Sequence, residues 1–309
     1  MTYKARGASV RMWWEGRSGA EDVRRGAMRV SITVNGLDIE ASYRDEDIEG
    51  VFKPLVRHWS AAQRRLGGRY IVFMSAPPGS GKTTLSLCLA QLSHDMDGCV
   101  PIQAIGMDGY HYPNAYLDSH TYVEDGETIT LRSRKGASFT YDVAGLRAKL
   151  ADARGEHPTP WPEYSRVLHD AVPDAMEVTG DILLVEGNYF QIGEGEWAGI
   201  GELADETVYI SAPMGLLRDR LVGRKLKGGS TQEEAEAWFE RSDDKNVRRV
   251  LGGHVPADIE LALGEDGGYT LTKGTELLVG DPHYERGAKG QRGHPLRPAS
   301  PWSQLSDSN

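Results

Sequence analysis

The sequence predicts an α/β fold in which a mainly parallel sheet is flanked by helices and carries a helical lid and an N-terminal β-hairpin. Three observations predict it. Short apolar runs alternate with stretches of helical periodicity through the middle of the chain, a Gly-rich turn sits between the first of those runs and the helix after it, and two later apolar runs end in a carboxylate. Alternation of this kind is the mark of parallel strands joined by crossover helices.

Residues 1–28 mix Arg, Gly and Ser with little periodicity and read as a disordered extension, although Trp13 and Trp14 could dock on a core. Met28 opens the first patterned segment, which lets residues 1–27 be read as an upstream extension. From Arg29 to Ala41 apolar residues alternate as Val30, Ile32, Val34 and then Leu37, Ile39, Ala41 around Asn35-Gly36, which predicts a hairpin with a type I′ turn. Ile48, Val51, Phe52, Leu55, Val56, Trp59 and Leu66 then recur at helical spacing behind Asp45-Glu46-Asp47. Gly67-Gly68 ends that run, and Pro54 should kink the helix or delay its start.

The central region reads as strand Tyr70 to Ala76, helix Lys82 to His94, strand Pro101 to Met107, helix Val143 to Ala153, strand Ile182 to Glu186 and strand Thr207 to Ser211. Beyond Ala212-Pro213 a helix from Met214 to Lys227 meets Gly228-Gly229. Ser230-Thr231-Gln232-Glu233 then reads as a capping box that opens a second helix, to about Arg241. Two helices hinged at a Gly pair make the lid. Residues 29–281 thus form one domain, with the hairpin and first helix in 29–68 and the core and lid in 69–281, and residues 282–309 read as a disordered tail.

Composition narrows the function classes. A hydrophobic fraction of 39% over 309 residues is enough for a sizeable core. The net charge of -10 argues against a broad nucleic-acid or anionic-membrane surface, which needs clustered Lys and Arg. No apolar run approaches the roughly 18 residues that cross a bilayer, and the first residues lack the apolar core of a signal peptide. Cys88 and Cys99 are too few for a disulfide framework, so a reducing, cytoplasmic setting is expected.

The strongest chemical signal is Ala76-Pro77-Pro78-Gly79-Ser80-Gly81-Lys82-Thr83-Thr84, a P-loop pattern in which Ala76 replaces the first Gly. The apolar strand before it and the helix after it aim loop N–H groups and a helix N-terminus at a phosphate. Gly79, Ser80, Gly81, Lys82, Thr83 and Thr84 are therefore the candidate ATP-binding residues, with Lys82 on the β and γ phosphates and Thr83 on Mg²⁺. The sheet is accordingly of the P-loop NTPase type. Asp108 lies just past the end of the second strand, where open α/β sheets bind ligands, and could accept the proton of an attacking hydroxyl. A plain Asp-Gly turn is the structural alternative. Glu186 ends the third strand, where a P-loop protein places the magnesium shell.

In these motifs the chain resembles the P-loop kinases that include bacterial pantothenate kinase, uridine kinase and phosphoribulokinase, and among them the fructose-kinase-like and nucleoside-kinase-like proteins. The resemblance runs from about Arg29 to Ile259. It is carried by Met107-Asp108-Gly109-Tyr110-His111, Lys135-Gly136-Ala137 followed by Tyr141-Asp142, Tyr164-Ser165-Arg166-Val167-Leu168-His169-Asp170, and Glu186-Gly187-Asn188-Tyr189, in that order. It implies an ATP- and Mg²⁺-dependent kinase with a small-molecule hydroxyl acceptor such as a sugar, a nucleoside or a pantothenate-like compound. It also implies Asp108 as catalytic base, Glu186 and Thr83 at the metal, and Tyr110, His111, Lys135, Tyr164, Arg166, His169, Asn188 and Tyr189 around the acceptor. Lid cations among Arg220, Arg224, Lys225 and Lys227, with Arg224 foremost, would close over the phosphates.

Arg166 and His169 stand where pantothenate kinases carry a His and a Tyr, so pantothenate is not inherited directly. Arg166 suits a phosphate, a carboxylate or a polyhydroxyl compound, or it simply pairs with Asp170 four residues on. A P-loop ATPase switch without an acceptor is the competing class, since a nucleotide site by itself does not require an acceptor. The guanine-reading Asn-Lys-x-Asp pattern is absent. The hairpin could extend the sheet or pair across a homodimer, and the sequence leaves both open.

Overall fold

The computed structural model describes residues 2–5, 8–15, 27–34, 37–155 and 157–278. Strands β1 (Thr2–Ala5), β2 (Ala8–Glu15), β3 (Ala27–Val34) and β4 (Leu37–Arg44) form an antiparallel sheet in chain order. The β3–β4 register sets Val34 opposite Leu37, as a two-residue loop requires, although Asn35-Gly36 itself lies outside the described residues. The expectation of a disordered extension over residues 1–28 is corrected for its described parts. Strand β2 pairs along its whole length with β3, Ala8 opposite Val34 and Glu15 opposite Ala27. Strand β2 is held by the backbone groups of β1 and β3 on either side, so composition understated its order. The tail expected over 282–309 lies outside the described residues.

The chain then enters one continuous helical run over residues 45–66, made of Asp45–Asp47, a π turn Ile48–Phe52 and helix α1 (Lys53–Leu66). Pro54 neither breaks nor delays it. The N–H of Lys53 donates to the Ile48 carbonyl five residues back, and this widened turn takes up the ring and missing donor of Pro54. Gly67, at φ 74°, ends the helix in the left-handed region.

Strands β5 (Tyr70–Ser75) and β6 (Ile102–Gly106) are separated by α2 (Lys82–Asp95). Helix α3 (Asn114–Ser119), hairpin β7 (Thr121–Glu124) and β8 (Glu127–Thr130), and α4 (Val143–Ala153) follow. Hairpin β9 (Thr159–Ser165) and β10 (Asp170–Val178) leads into β11 (Ile182–Gly187) and β12 (Glu206–Ser211). The lid is α5 (Met214–Lys227) and α6 (Gln232–Trp238), joined by a π turn to α7 (Asp244–Gly253), and β13 (Ile259–Leu263) and β14 (Tyr269–Lys273) close the domain. The main sheet runs β14-β13-β12-β5-β11-β6, parallel except for β14. Thus the four expected strands are adjacent, as β12-β5-β11-β6, with β6 at the edge of the sheet. The cap of α6 falls one residue later than expected. Thr231 accepts from Glu234 N and the Glu234 carboxylate accepts from Thr231 N, so the box is Thr231 to Glu234.

Side chains of β5 and β11 alternate between two buried layers, which is why both strands are apolar throughout. Val72, Met74, Leu184, Trp59, Leu85 and Leu89 fill one layer, and Ile71, Phe73, Leu183, Val185, Leu146 and Trp197 fill the other. At the end of the sheet opposite the Gly-rich loop, Glu206 on β12 is buried and braces α1 against the strands. Its carboxylate accepts from Trp59 Nε1 (2.7 Å) and the Tyr70 hydroxyl (3.0 Å) and meets His58 Nε2 at 2.6 Å. Glu206→Ala strands those donors in the interior and should cost about 3–5 kcal/mol. Glu206→Gln, which keeps an acceptor for Trp59, should cost less. Denaturant unfolding measures both, and an alanine variant within about 1 kcal/mol of wild type would show that Glu206 is no brace.

Candidate active site

The loop after β5 owes its shape to two glycines. Gly79 (φ 84°) and Gly81 (φ 87°) are left-handed, and a Cβ on Gly79 would press on the Leu217 carbonyl and the Leu221 side chain of the lid helix at 3.0–3.4 Å. Ala76 is fully buried in ordinary backbone and its N–H donates to the Gly187 carbonyl (3.3 Å). This position therefore needs no glycine. The loop delivers the chain into the 14-residue helix α2, which carries no side-chain cap, and the buried Ser80 Oγ has no hydrogen-bond partner among the described residues. N-terminal N–H groups and an unpaired hydroxyl facing one loop are what an anion occupies.

Strand β11 lies beside β5 and sets Glu186 against the first turn of α2. Thr83 Oγ1 donates to Glu186 Oε1 at 2.8 Å, and Lys82 Nζ stands 3.9 Å from Glu186 Oε2. Burial raises the Glu186 carboxyl above its ordinary range, against the pull of Lys82 and the Thr83 hydrogen bond. One hydroxyl, one carboxylate and the neighbouring loop are hard oxygen donors of the kind Mg²⁺ takes with a nucleotide.

Asp108 begins a short 3₁₀ turn, Asp108–Tyr110, directly after β6. Burial opposes its charge, but His111, Lys82, Arg166 and the hydrogen bond from the Tyr141 hydroxyl (3.2 Å) outweigh burial and hold the carboxyl below its ordinary range. Asp108 is thus ionised at neutral pH. Burial lowers His111, whose ring lies 3.9 Å from that of Tyr141 and 5.3 Å from that of Tyr164. Among the described residues Arg166 has no hydrogen-bond or ion-pair partner, and its charge acts on Asp108, Glu186 and Arg224. The pairing of Arg166 with Asp170 is not formed. Asp170 instead accepts from Asn114 N (3.2 Å) and stands 3.9 Å from Lys135 Nζ.

From the lid, Arg220 Nη1 donates to the carbonyls of Ser80 (3.1 Å) and Gly79 (3.4 Å). Arg224, one turn on, meets solvent, yet the protein packed around it lowers its pKa, with Arg166 adding to the lowering and Asp243 and Asp108 opposing it. As a guanidinium it stays charged. Lys225 is spent on the Trp238 ring, 3.9 Å from its centroid.

Other sequence-predicted acceptor residues do not present their side chains together. Tyr189 is fully buried and donates to the Gly136 carbonyl (2.6 Å), while Tyr110 is buried edge-on against Trp161. Lys135 donates to Asn114 Oδ1 (2.6 Å) and the His169 carbonyl (2.8 Å), and His169, at φ 52°, offers that carbonyl while its side chain is exposed. Asn188 is buried and its Oδ1 has no partner among the described residues. Tyr164 is half-buried with Lys135 over its ring at 4.9 Å. The residue that sequence reasoning passed over is Tyr141, the neighbour of Asp108. Its sequence signal is its place beside Asp142, downstream of Lys135-Gly136-Ala137.

No protein-family model matches the chain. It is 39% identical over 247 residues to "Uncharacterized protein YggC" of Escherichia coli, covering 79% of this chain and 100% of that one. It is 30% identical over 203 residues to a putative uridine kinase of Schizosaccharomyces pombe, covering 62% of this chain and 83% of that one. Among solved structures, a putative fructose transport system kinase from a Silicibacter species matches with TM-score 0.60 and 28% identity, over 69% of this chain and 98% of that one.

The approach of β9 to Asp108 generates a test. A Cβ on Gly109 would lie 2.2 Å from the Pro162 carbonyl oxygen, a backbone atom that cannot turn aside. Gly109→Ala should therefore lose about 2 kcal/mol or more. Gly223→Ala, on α5 with nothing within 4 Å of its added Cβ, should be neutral or stabilising. Thermal melting separates the two, and a Gly109 variant that melts with wild type would contradict this packing.

Proposed function

We propose, for a chain that belongs to the P-loop kinase group of uridine kinase, pantothenate kinase and phosphoribulokinase, that it transfers the γ-phosphoryl group of ATP to a hydroxyl of a small metabolite. Kinase membership follows from the comparisons, and in this reading the acceptor is a sugar, a nucleoside or a pantothenate-like compound. The observation that carries the reading is the convergence of Lys82, Glu186 and ionised Asp108 at the ends of three adjacent parallel strands, with lid arginines above them. A half-buried ionised carboxylate set apart from the Thr83–Glu186 pair is placed to take the proton of a hydroxyl acceptor.

In this reading the acceptor hydroxyl lies between Asp108 and the loop. Asp108 takes its proton as the acceptor oxygen bonds to the γ-phosphorus and the bond to the bridging oxygen of ADP breaks. Lys82 and Arg224 neutralise charge on the oxygens in transfer, and the N–H groups of Gly81, Lys82 and Thr83 hold the ADP phosphates. Mg²⁺, bound with the nucleotide, would supply Lewis-acid neutralisation, with Thr83 and Glu186 the residues to hold it. Arg166, without a hydrogen-bond or ion-pair partner among the described residues, reaches the acceptor or the transferring group. We place the enzyme in the cytoplasm, on its two free cysteines and because no described helix is long and apolar enough to cross a membrane.

Asp108→Asn keeps the shape and removes the proton acceptor. Phosphoryl transfer should fall by roughly 10²–10⁴-fold while ATP affinity holds. The lower part of that range is expected, because a loose transition state leaves most of the catalysis to positioning. Assaying transfer across MgCl₂ concentrations distinguishes a base from a metal ligand, since excess metal partly restores the rate only in the second case. Wild-type transfer at every concentration would remove Asp108 from the site.

A further inference from the structure

The N-terminal sheet reaches the end of the phosphate loop through Tyr43. Tyr43, near the end of β4, is buried, 4% exposed, between the rings of Phe52 (5.3 Å, interplanar 84°) and Tyr269 (6.2 Å, interplanar 49°). Its hydroxyl donates to Thr84 Oγ1 at 3.2 Å, and Thr84 Oγ1 donates to the Gly81 carbonyl at 2.7 Å. That carbonyl also accepts the first helical bond of α2, from Leu85 N (3.0 Å). Beside Tyr43, Arg44 bonds Asp47 (2.8 and 3.0 Å) and Asp266 (2.8 Å), the latter in the turn between β13 and β14. The end of β4 is thereby fixed to the core on two sides.

We propose that Tyr43 is a positioning residue for the nucleotide, and that the N-terminal sheet is through it part of the nucleotide site. The inference rests on the reading of the loop as the ATP site. A threonine hydroxyl has one proton and two lone pairs. With its proton on Gly81 and a lone pair filled by Tyr43, Thr84 is held in one rotamer. The brace also fixes the Gly81 carbonyl at the point where the loop turns into the helix, so the following N–H groups are presented to phosphate in one orientation. Arg220 grips the other side of the same turn through the Gly79 and Ser80 carbonyls. A nucleotide then meets a loop already ordered, and losing the brace raises the ordering cost of binding.

Tyr43→Phe removes the hydroxyl and keeps the ring. Calorimetric titration with ATP and with ADP should show affinity weakened about 3- to 10-fold, the worth of one hydrogen bond, with KM for ATP rising in step, KM for the acceptor unchanged and the melting temperature close to wild type. In a Thr84→Val background, where the brace is already gone, Tyr43→Phe should have no further effect on nucleotide affinity. Unchanged affinity in Tyr43→Phe, or an undiminished effect in the Thr84→Val background, would overturn the proposal. A wild-type chain that binds no ATP would overturn the kinase reading itself, and the two failures are distinct.

Discussion

The hydrogen bond that Glu186 accepts from Thr83 is the joint on which the site turns. A carboxylate at the end of a fully buried strand costs several kcal/mol unless partners compensate it. Here the compensation comes from the first turn of α2, through the Thr83 hydroxyl at 2.8 Å and Lys82 at 3.9 Å. For those residues to arrive, the chain must leave β5, reverse within six residues and begin a helix facing β11. Only left-handed backbone at Gly79 and Gly81 makes that reversal. The parallel pairing of β5 with β11 and the glycine loop are thus two sides of one electrostatic requirement.

The acceptor side is organised around a second, half-buried carboxylate. Asp108 and Glu186 repel one another, and each raises the cost of ionising the other. Lys82 and Arg166 pull both carboxyls toward their charged forms. Asp108 is held below the ordinary carboxylate range and Glu186 above it, so the two carboxylates differ in character although both end strands. The first is a ready but weak base, and the second is poised to gain from a cation. Such a division suits a reaction in which positioning and charge neutralisation matter more than proton affinity.

The central strands, α2 and the phosphate loop were legible in the sequence because each is fixed by its own residues: apolar runs, glycines at turns and carboxylates at strand ends. Hairpin β9–β10 was not. Its strands carry Pro160, Pro162 and Pro173 and half-exposed polar residues, and it is held by pairing with itself and by the contact of Pro162 with Gly109. Strands β1 and β2 were missed for a similar reason, since their order comes from a neighbouring strand. At the site, Lys82, Asp108 and Glu186 were legible because strand ends point at one face. The aims of Tyr110, Lys135, His169 and Tyr189 were not, because loop backbone decides whether such a side chain meets a ligand, a carbonyl or the core.

The central claim is that phosphate leaves ATP for an acceptor hydroxyl held by Asp108, not for water. Phosphorus NMR of the protein incubated with ATP, Mg²⁺ and in turn sugars, nucleosides, pantothenate and polyols follows the phosphate directly. The account predicts that one acceptor class accelerates ADP formation and that one phosphomonoester appears for each ADP. Release of inorganic phosphate alone, at a rate no acceptor changes, would contradict it.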